Sequence, residues 1–254
     1  MNNRPIGMFD SGCGGLTVLK QYTKLMPNED FIYYGDTAHL PYGDKSPQKI
    51  IEYCDEIVKF LINKNVKMIV IACGTASATA YEYLKENYDI EIRNIIIPTA
   101  QAITSKNVGV IATQATIKSN AWTKAINKFS PTTNVTSVAC PLFVPIIENG
   151  LIENEGTPYF IQEYIDKLQL KNNNISSIIL GCTHYPLLKD KIQKEVGDTI
   201  KLIDIGEYSA RNTLTYLKEN TLENTSGHQR KIELYSSDDF ESFKENAIKM
   251  GLEI

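Results

Sequence analysis

Short, strongly apolar runs alternate with longer stretches of helical periodicity along most of the chain. Residues 5–9 (PIGMF), 30–34 (DFIYY), 67–72 (KMIVIA), 94–97 (NIII), 107–112 (NVGVIA), 134–139 (NVTSVA), 177–180 (SIIL) and 200–205 (IKLIDI) read as strands. Helices are predicted over 47–63, 76–86, 117–129 and 156–168. Runs this short and apolar, separated by helices, mark parallel strands buried on both faces, hence α/β layers. Ligands of such layers sit at the carboxyl ends of the strands. The turn-rich stretch 219–230 (ENTLENTSGHQR) leads to a last strand at 231–235 and a final helix over 238–250, with Ser237 as the expected N-cap.

The chain also echoes itself. IGMFDSG, from Ile6, resembles VGVIATQ, from Val108, at an offset of 102 residues. MIVIACGT, ending at Thr75, resembles SIILGCT, ending at Thr183, at an offset of 108. Two motifs repeated in one order at nearly one spacing predict two similar lobes. Each is expected to hold a mainly parallel sheet flanked by helices.

Composition narrows the function classes. The 254 residues are 43% hydrophobic and 22% charged, enough for one large core or two smaller ones. A net charge of −4 leaves no basic surplus to neutralise phosphates, which argues against a nucleic-acid binder. No apolar run approaches the roughly 20 residues that span a bilayer. The opening MNNRPIGMFDSG lacks the apolar region of a signal peptide. Five scattered cysteines with no C-x-x-C pair suit a reducing compartment, so a soluble cytoplasmic protein is expected.

Three strand ends carry the candidate chemistry. After the first strand, FDSGCGG can turn sharply and aim backbone N–H groups at an anion; it has neither P-loop nor G-x-G-x-x-G spacing, so a small carboxylate suits it better than a nucleotide. Asp10 in that loop is either a functional carboxylate or a helix N-cap. The other two ends are VIACGTAS and LGCTHYPLL. A lone cysteine after an apolar strand is ordinarily a buried small hydrophobe. Two cysteines, Cys73 and Cys182, at matching positions in echoing lobes are different. Facing each other across a cleft, one thiolate can take a proton from a carbon while the opposite thiol supplies one, which inverts that carbon. Such proton transfer needs neither metal nor organic cofactor. Asp10 and His184 would hold or relay protons beside the thiols.

Other uses of these residues fit less well. Zinc would need four ligands, and Cys182 with His184 supplies two. A thiol–disulfide enzyme would show C-x-x-C. A cysteine hydrolase could use Cys182 with His184, but that leaves Cys73 unexplained.

FDSGCGGLTVL, YYGDTAHLPYG, IACGTASA, ACPLFVPIIE and LGCTHYPLL, in this order, closely resemble bacterial glutamate racemase, of the cofactor-independent aspartate/glutamate racemase superfamily. The resemblance covers nearly the whole chain, and His184 in CTHYP favours the glutamate enzymes over their aspartate-specific relatives. It implies that Cys73 and Cys182 are the acid/base thiols, with Asp10 beside the first and His184 beside the second. Glu148 matches a carboxylate near the second thiol. Ser11, Tyr42, Gly43, Thr75 and Thr183, with Asp10, Pro41, Gly74 and His184, match positions that bind the substrate. The resemblance also implies an active site in the cleft between the two α/β lobes, with the C-terminus returning to the first, so that the lobes comprise residues 1–97 plus 208–254 and 98–207. A homodimer without cofactor or metal, making D-glutamate for peptidoglycan, is the implied enzyme. A racemase of another amino acid and a non-catalytic amino-acid binding protein are the alternatives; the latter would be expected to lose a thiol.

The chain departs from the family pattern in places. Gly74 stands where the family usually has asparagine, which predicts a lost substrate contact and spare room beside the substrate. His39 replaces a common arginine and is expected at the surface or lobe interface. Cys13 stands where valine is frequent and is expected to fill space. Cys54 and Cys140 are expected to be structural, and His228 solvated. Some relatives carry an N-terminal extension linked to activation by a cell-wall precursor. With its first strand starting near residue 5, this chain is not expected to share that regulation.

Overall fold

The computed structural model describes residues 2–253. Among the described residues nine strands form two wholly parallel sheets: β1 (Ile6–Asp10), β2 (Phe31–Gly35), β3 (Met68–Ile71), β4 (Ile92–Asn94) and β9 (Ile232–Ser236) in the first, β5 (Asn107–Ala112), β6 (Asn134–Ala139), β7 (Ser177–Leu180) and β8 (Lys201–Asp204) in the second. The first sheet has the order β4-β3-β1-β2-β9 and the second β6-β5-β7-β8. Read from the opposite edge, the second repeats the first without its outermost strand. Helices between the strands cover the sheets, so β1, β3 and β7 are buried along their whole length, as unbroken apolar runs require.

The internal echo is a structural repeat. β1 and β5 are each flanked by the strand that carries a cysteine motif. Cys73 and Cys182 each lie two residues beyond the last paired residue, Ile71 on β3 and Leu180 on β7.

Where the predicted elements shift, local polar groups are the reason. The run 94–97 is not a strand beyond Asn94, because Asn94 Oδ1 accepts from the Ile96 and Ile97 N–H groups at 3.0 and 2.9 Å and starts the helix Ile96–Gln101. The helix predicted over 76–86 starts earlier and breaks at Ala80 into Gly74–Thr79 and Tyr81–Asn87. That over 117–129 starts at Gln114, capped by Thr113, and breaks at Asn120, whose φ of 57° is left-handed. The last helix is Phe240–Lys249, capped by Asp239 and not by Ser237. Ser237 Oγ donates instead to Asp36 at 2.8 Å. His228 is not left to solvent either: its Nε2 lies 2.9 Å from Asp30 and its Nδ1 2.8 Å from Ser226 Oγ.

The two halves are joined through buried polar contacts as well as apolar ones. On the helix Leu16–Leu25, Thr17 Oγ1 donates to the Thr183 carbonyl oxygen of the second half at 2.8 Å. Tyr22 Oη lies 2.7 Å from Ser209 and 2.9 Å from Thr213 of the helix Ile205–Glu219, which brings the chain from β8 back to β9 of the first sheet. Among the described residues no helix is long and apolar enough to cross a membrane.

Candidate active site

The carboxyl ends of the two sheets meet, and most of the residues singled out in the sequence lie there. Asp10 ends β1 and is fully buried. It is not a helix cap: its Oδ1 accepts from Gly12 N at 2.9 Å within the loop, and its Oδ2 accepts from Thr183 Oγ1 of the other lobe at 3.0 Å. Burial raises its pKa, a push that the His184 charge and the bonds from Thr183 and Gly12 oppose. The glycine-rich loop presses against the opposite lobe. A Cβ on Gly14 would lie 2.4 Å from His184 Nδ1 and 2.6 Å from Thr183 Oγ1, so only glycine fits.

Cys73 caps the helix Gly74–Thr79, its Sγ accepting from Ala76 N at 3.4 Å. The Sγ also lies 3.7 Å from Ser11 Oγ, which in turn lies 3.4 Å from Asp10. Burial and then the Asp10 charge push the Cys73 thiol up to about 12, against the Ala76 and Ser11 bonds. A polar chain thus runs from Cys73 through Ser11 and Asp10 to Thr183, the neighbour of Cys182.

On the far side, Cys182 Sγ lies 3.8 Å from His184 Nδ1, and His184 Nε2 lies 2.5 Å from Glu148 Oε1. Glu148 ends the short helix Phe143–Glu148, which brings its carboxylate to the imidazole. Burial pulls the His184 pKa down, but the bonds to Cys182 and Glu148 and their charges outweigh it and raise the pKa to about 10. His184 is therefore an imidazolium near neutral pH and can exchange a proton with Cys182.

The remaining sequence candidates divide. Thr75 is buried and its hydroxyl lies 3.0 Å from Thr113 Oγ1 across the cleft. Pro41, Tyr42 and Gly43 form a loop against the second lobe, a Cβ on Gly43 falling 3.3 Å from Thr113 Cβ. The Tyr42 hydroxyl donates to Asp36 Oδ2 at 2.6 Å, so the phenol is committed within the first lobe. Gly74 leaves no spare room, since a Cβ there would lie 2.6 Å from the carbonyl oxygen of Gly181 in the other lobe. The expected space beside the substrate is filled by backbone.

His39 lies at the surface, bonded to Asp36 at 2.8 Å and stacked on Tyr53. Cys13 accepts from Asn246 at 3.5 Å, and Cys54 and Cys140 are buried.

Thr113 and Thr116, not singled out in the sequence, join Thr75 in a triangle of hydroxyls with sides of 3.0, 3.0 and 3.4 Å. The internal echo held the signal, for at the offset of 102 Thr113 stands where Ser11 does. Among the described residues no group of three or more His, Cys, Asp or Glu side chains could hold a metal ion.

Residues 12–213 match the Asp/Glu/hydantoin racemase family, and the chain belongs to it. Glutamate racemase of Geobacter metallireducens is 43% identical over 239 residues, 92% of this chain and 88% of that relative. Among solved structures, glutamate racemase of Francisella tularensis in complex with D-glutamate superposes with a TM-score of 0.90 at 39% identity, covering 98% of this chain and 94% of that one. The RacE1 isoform from Bacillus anthracis gives a TM-score of 0.94 at 32% identity, covering 100% and 96%. The resemblance to glutamate racemase and the two-lobed α/β fold expected from sequence are both borne out.

Proposed function

We propose that the chain is a glutamate racemase that interconverts L- and D-glutamate by proton abstraction and donation between Cys73 and Cys182. The observation that carries this reading is the matched placement of the two thiols, each two residues past a paired strand end, on lobes joined across the cleft by the Asp10–Thr183 bond of 3.0 Å. The family membership and the names of its relatives point the same way.

In the resting arrangement the raised pKa keeps Cys73 a thiol, the proton donor. Cys182 takes the α-proton from the opposite face as a thiolate, paired with the His184 imidazolium that Glu148 holds beside it. Abstraction breaks the α-C–H bond and forms the Cys182 S–H. Donation breaks the Cys73 S–H and forms the new C–H, so the proton count on substrate is unchanged and the two thiols exchange states. For the other enantiomer the roles reverse. Backbone N–H groups of Tyr42, Gly43 and Gly74, with the Ser11, Thr75 and Thr183 hydroxyls, bind the carboxylates and ammonium, and Pro41 shapes the loop that presents the first two. Asp10 holds the Cys73 side. No metal or organic cofactor enters these steps. On the same reading the lobes comprise residues 1–97 plus 208–254 and 98–207, and the enzyme is a cytoplasmic homodimer supplying D-glutamate for peptidoglycan, as the resemblance implies.

Incubation with L-glutamate in deuterated water, without added cofactor, tests the reading. Loss of optical activity together with deuterium at the α-carbon is expected. Retention of both optical activity and the α-proton would show a binding protein, and activity on aspartate alone would show another racemase.

A second expectation comes from His184. With a pKa raised to about 10, the imidazolium persists through neutral pH and is lost as pH rises through that value. Glu148→Gln removes one of the causes of the rise. The alkaline limb of the kcat/KM profile should then move to lower pH, by about 1–3 units. An alkaline limb at the same pH in both proteins would separate Glu148 from the proton relay.

A further inference from the structure

We infer that the cavity between the lobes beside the Thr75–Thr113 contact is an anion vestibule, which takes the incoming dicarboxylate before the lobes part to admit it. This deepens the racemase reading and rests on it. The cavity has a volume of about 660 Å³ and is walled by Gly43, Lys45, Ile50 and Thr79 from one lobe and Gln114 and Lys118 from the other.

Its position ties it to the site. Gly43 follows the buried Tyr42, Thr79 lies one turn beyond Thr75 on the helix that Cys73 caps, and Gln114 follows Thr113. The Thr75–Thr113 bond of 3.0 Å fastens together the two helices that wall the cavity. Gln114 stands two residues past the carboxyl end of β5, the edge at which ligands of α/β layers bind.

Its charge selects the ligand. Lys45 and Lys118 reach it from opposite lobes, and neither forms an ion pair among the described residues. Asp44 is the single carboxylate in the lining. In a chain of net charge −4, two lysines against one carboxylate at one opening leave a local positive excess, and a cleft focuses its field.

The site itself requires a waiting place. Cys73, Asp10, Thr75, Thr183 and His184 are all buried. Substrate reaches them only when the lobes separate, and an anion held across the seam by one lysine from each lobe is placed to enter at that moment.

The test is steady-state racemisation of L-glutamate, followed by circular dichroism between about 20 and about 300 mM KCl, where screening lengths shorten severalfold. For the wild type, kcat/KM should fall as salt rises. The double variant Lys45→Gln/Lys118→Gln should show kcat/KM lower by about three- to tenfold at low salt, little change in kcat, and a flattened salt dependence. Asp44→Asn should move kcat/KM the other way, which a merely structural role for this lining would not do. A double variant with the wild-type kcat/KM and salt dependence overturns the vestibule and leaves the racemase reading standing. A wild-type protein that leaves glutamate unchanged overturns the racemase reading and the vestibule with it.

Discussion

Cys73→Ser and Cys182→Ser are each expected to lower racemisation of glutamate by about 10²–10⁴-fold, the usual contribution of a positioned acid or base. Racemisation needs a group on both faces of the α-carbon, so either loss alone suffices. A hydroxyl cannot replace the thiol, because its proton is far too tightly held for it to act as a base at neutral pH. The fold should survive in both. At position 73 the thiol caps the helix Gly74–Thr79 through Ala76 N, and serine is itself a favoured cap. At position 182 the side chain is small and lies in a buried cluster, where serine is close in size. Unfolding transitions near the wild type, beside lost racemisation, are the expected pair of results. Each variant still holds one working thiol, so each should eliminate halide from a β-chloro amino acid of one enantiomer and not the other. Near-native racemisation by either single variant would sink the two-thiol mechanism.

Much of this site is legible in the chain because its chemistry is tied to strand ends. The apolar runs before Cys73 and Cys182 are too hydrophobic to be anything but buried strands, so both cysteines must lie at a carboxyl edge. The echo between the halves then places one edge against the other. Glu148 had no such signal. It is one of 30 acidic residues and ends a short helix, and only its match to the family motif marked it before the structure brought it to His184.

The elements that shifted did so through single polar groups. Asn94, Thr113 and Asp239 start helices with side-chain oxygens, and Asn120 breaks one with a left-handed φ. Hydrophobic periodicity does not register such choices. Contacts across the cleft, such as Thr75 with Thr113, need both lobes at once and stay hidden until the sheets are placed.

Gly74→Asn, which restores the residue usual in the family, is expected to damage this enzyme. Backbone strain is not the reason, for Gly74 is not among the residues with φ in the left-handed region. The obstacle is steric: a Cβ would sit 2.6 Å from the Gly181 carbonyl oxygen and 3.8 Å from Cys182 Cα. That carbonyl cannot easily retreat, because Gly181 N is bonded to Ile111 O of β5 at 2.8 Å and moves with the second sheet. Relief must come from the lobes moving apart, against the Asp10–Thr183 and Thr75–Thr113 bonds of 3.0 Å each. Parting moves the two thiols away from a substrate held between them, and a misplacement near 1 Å costs about 10²-fold in rate. Against this, an added amide could gain roughly 1.5–3 kcal/mol through a hydrogen bond to a charged substrate group. The steric cost falls on kcat and the gain on KM, so the two are separable by experiment. Gly74→Ala carries the Cβ without the amide and isolates the first effect. A fall in kcat of similar size in Gly74→Ala and Gly74→Asn is expected. An asparagine variant with wild-type kcat and a lower KM would show instead that the working cleft is wider at this point than the closed contact between Gly74 and Gly181.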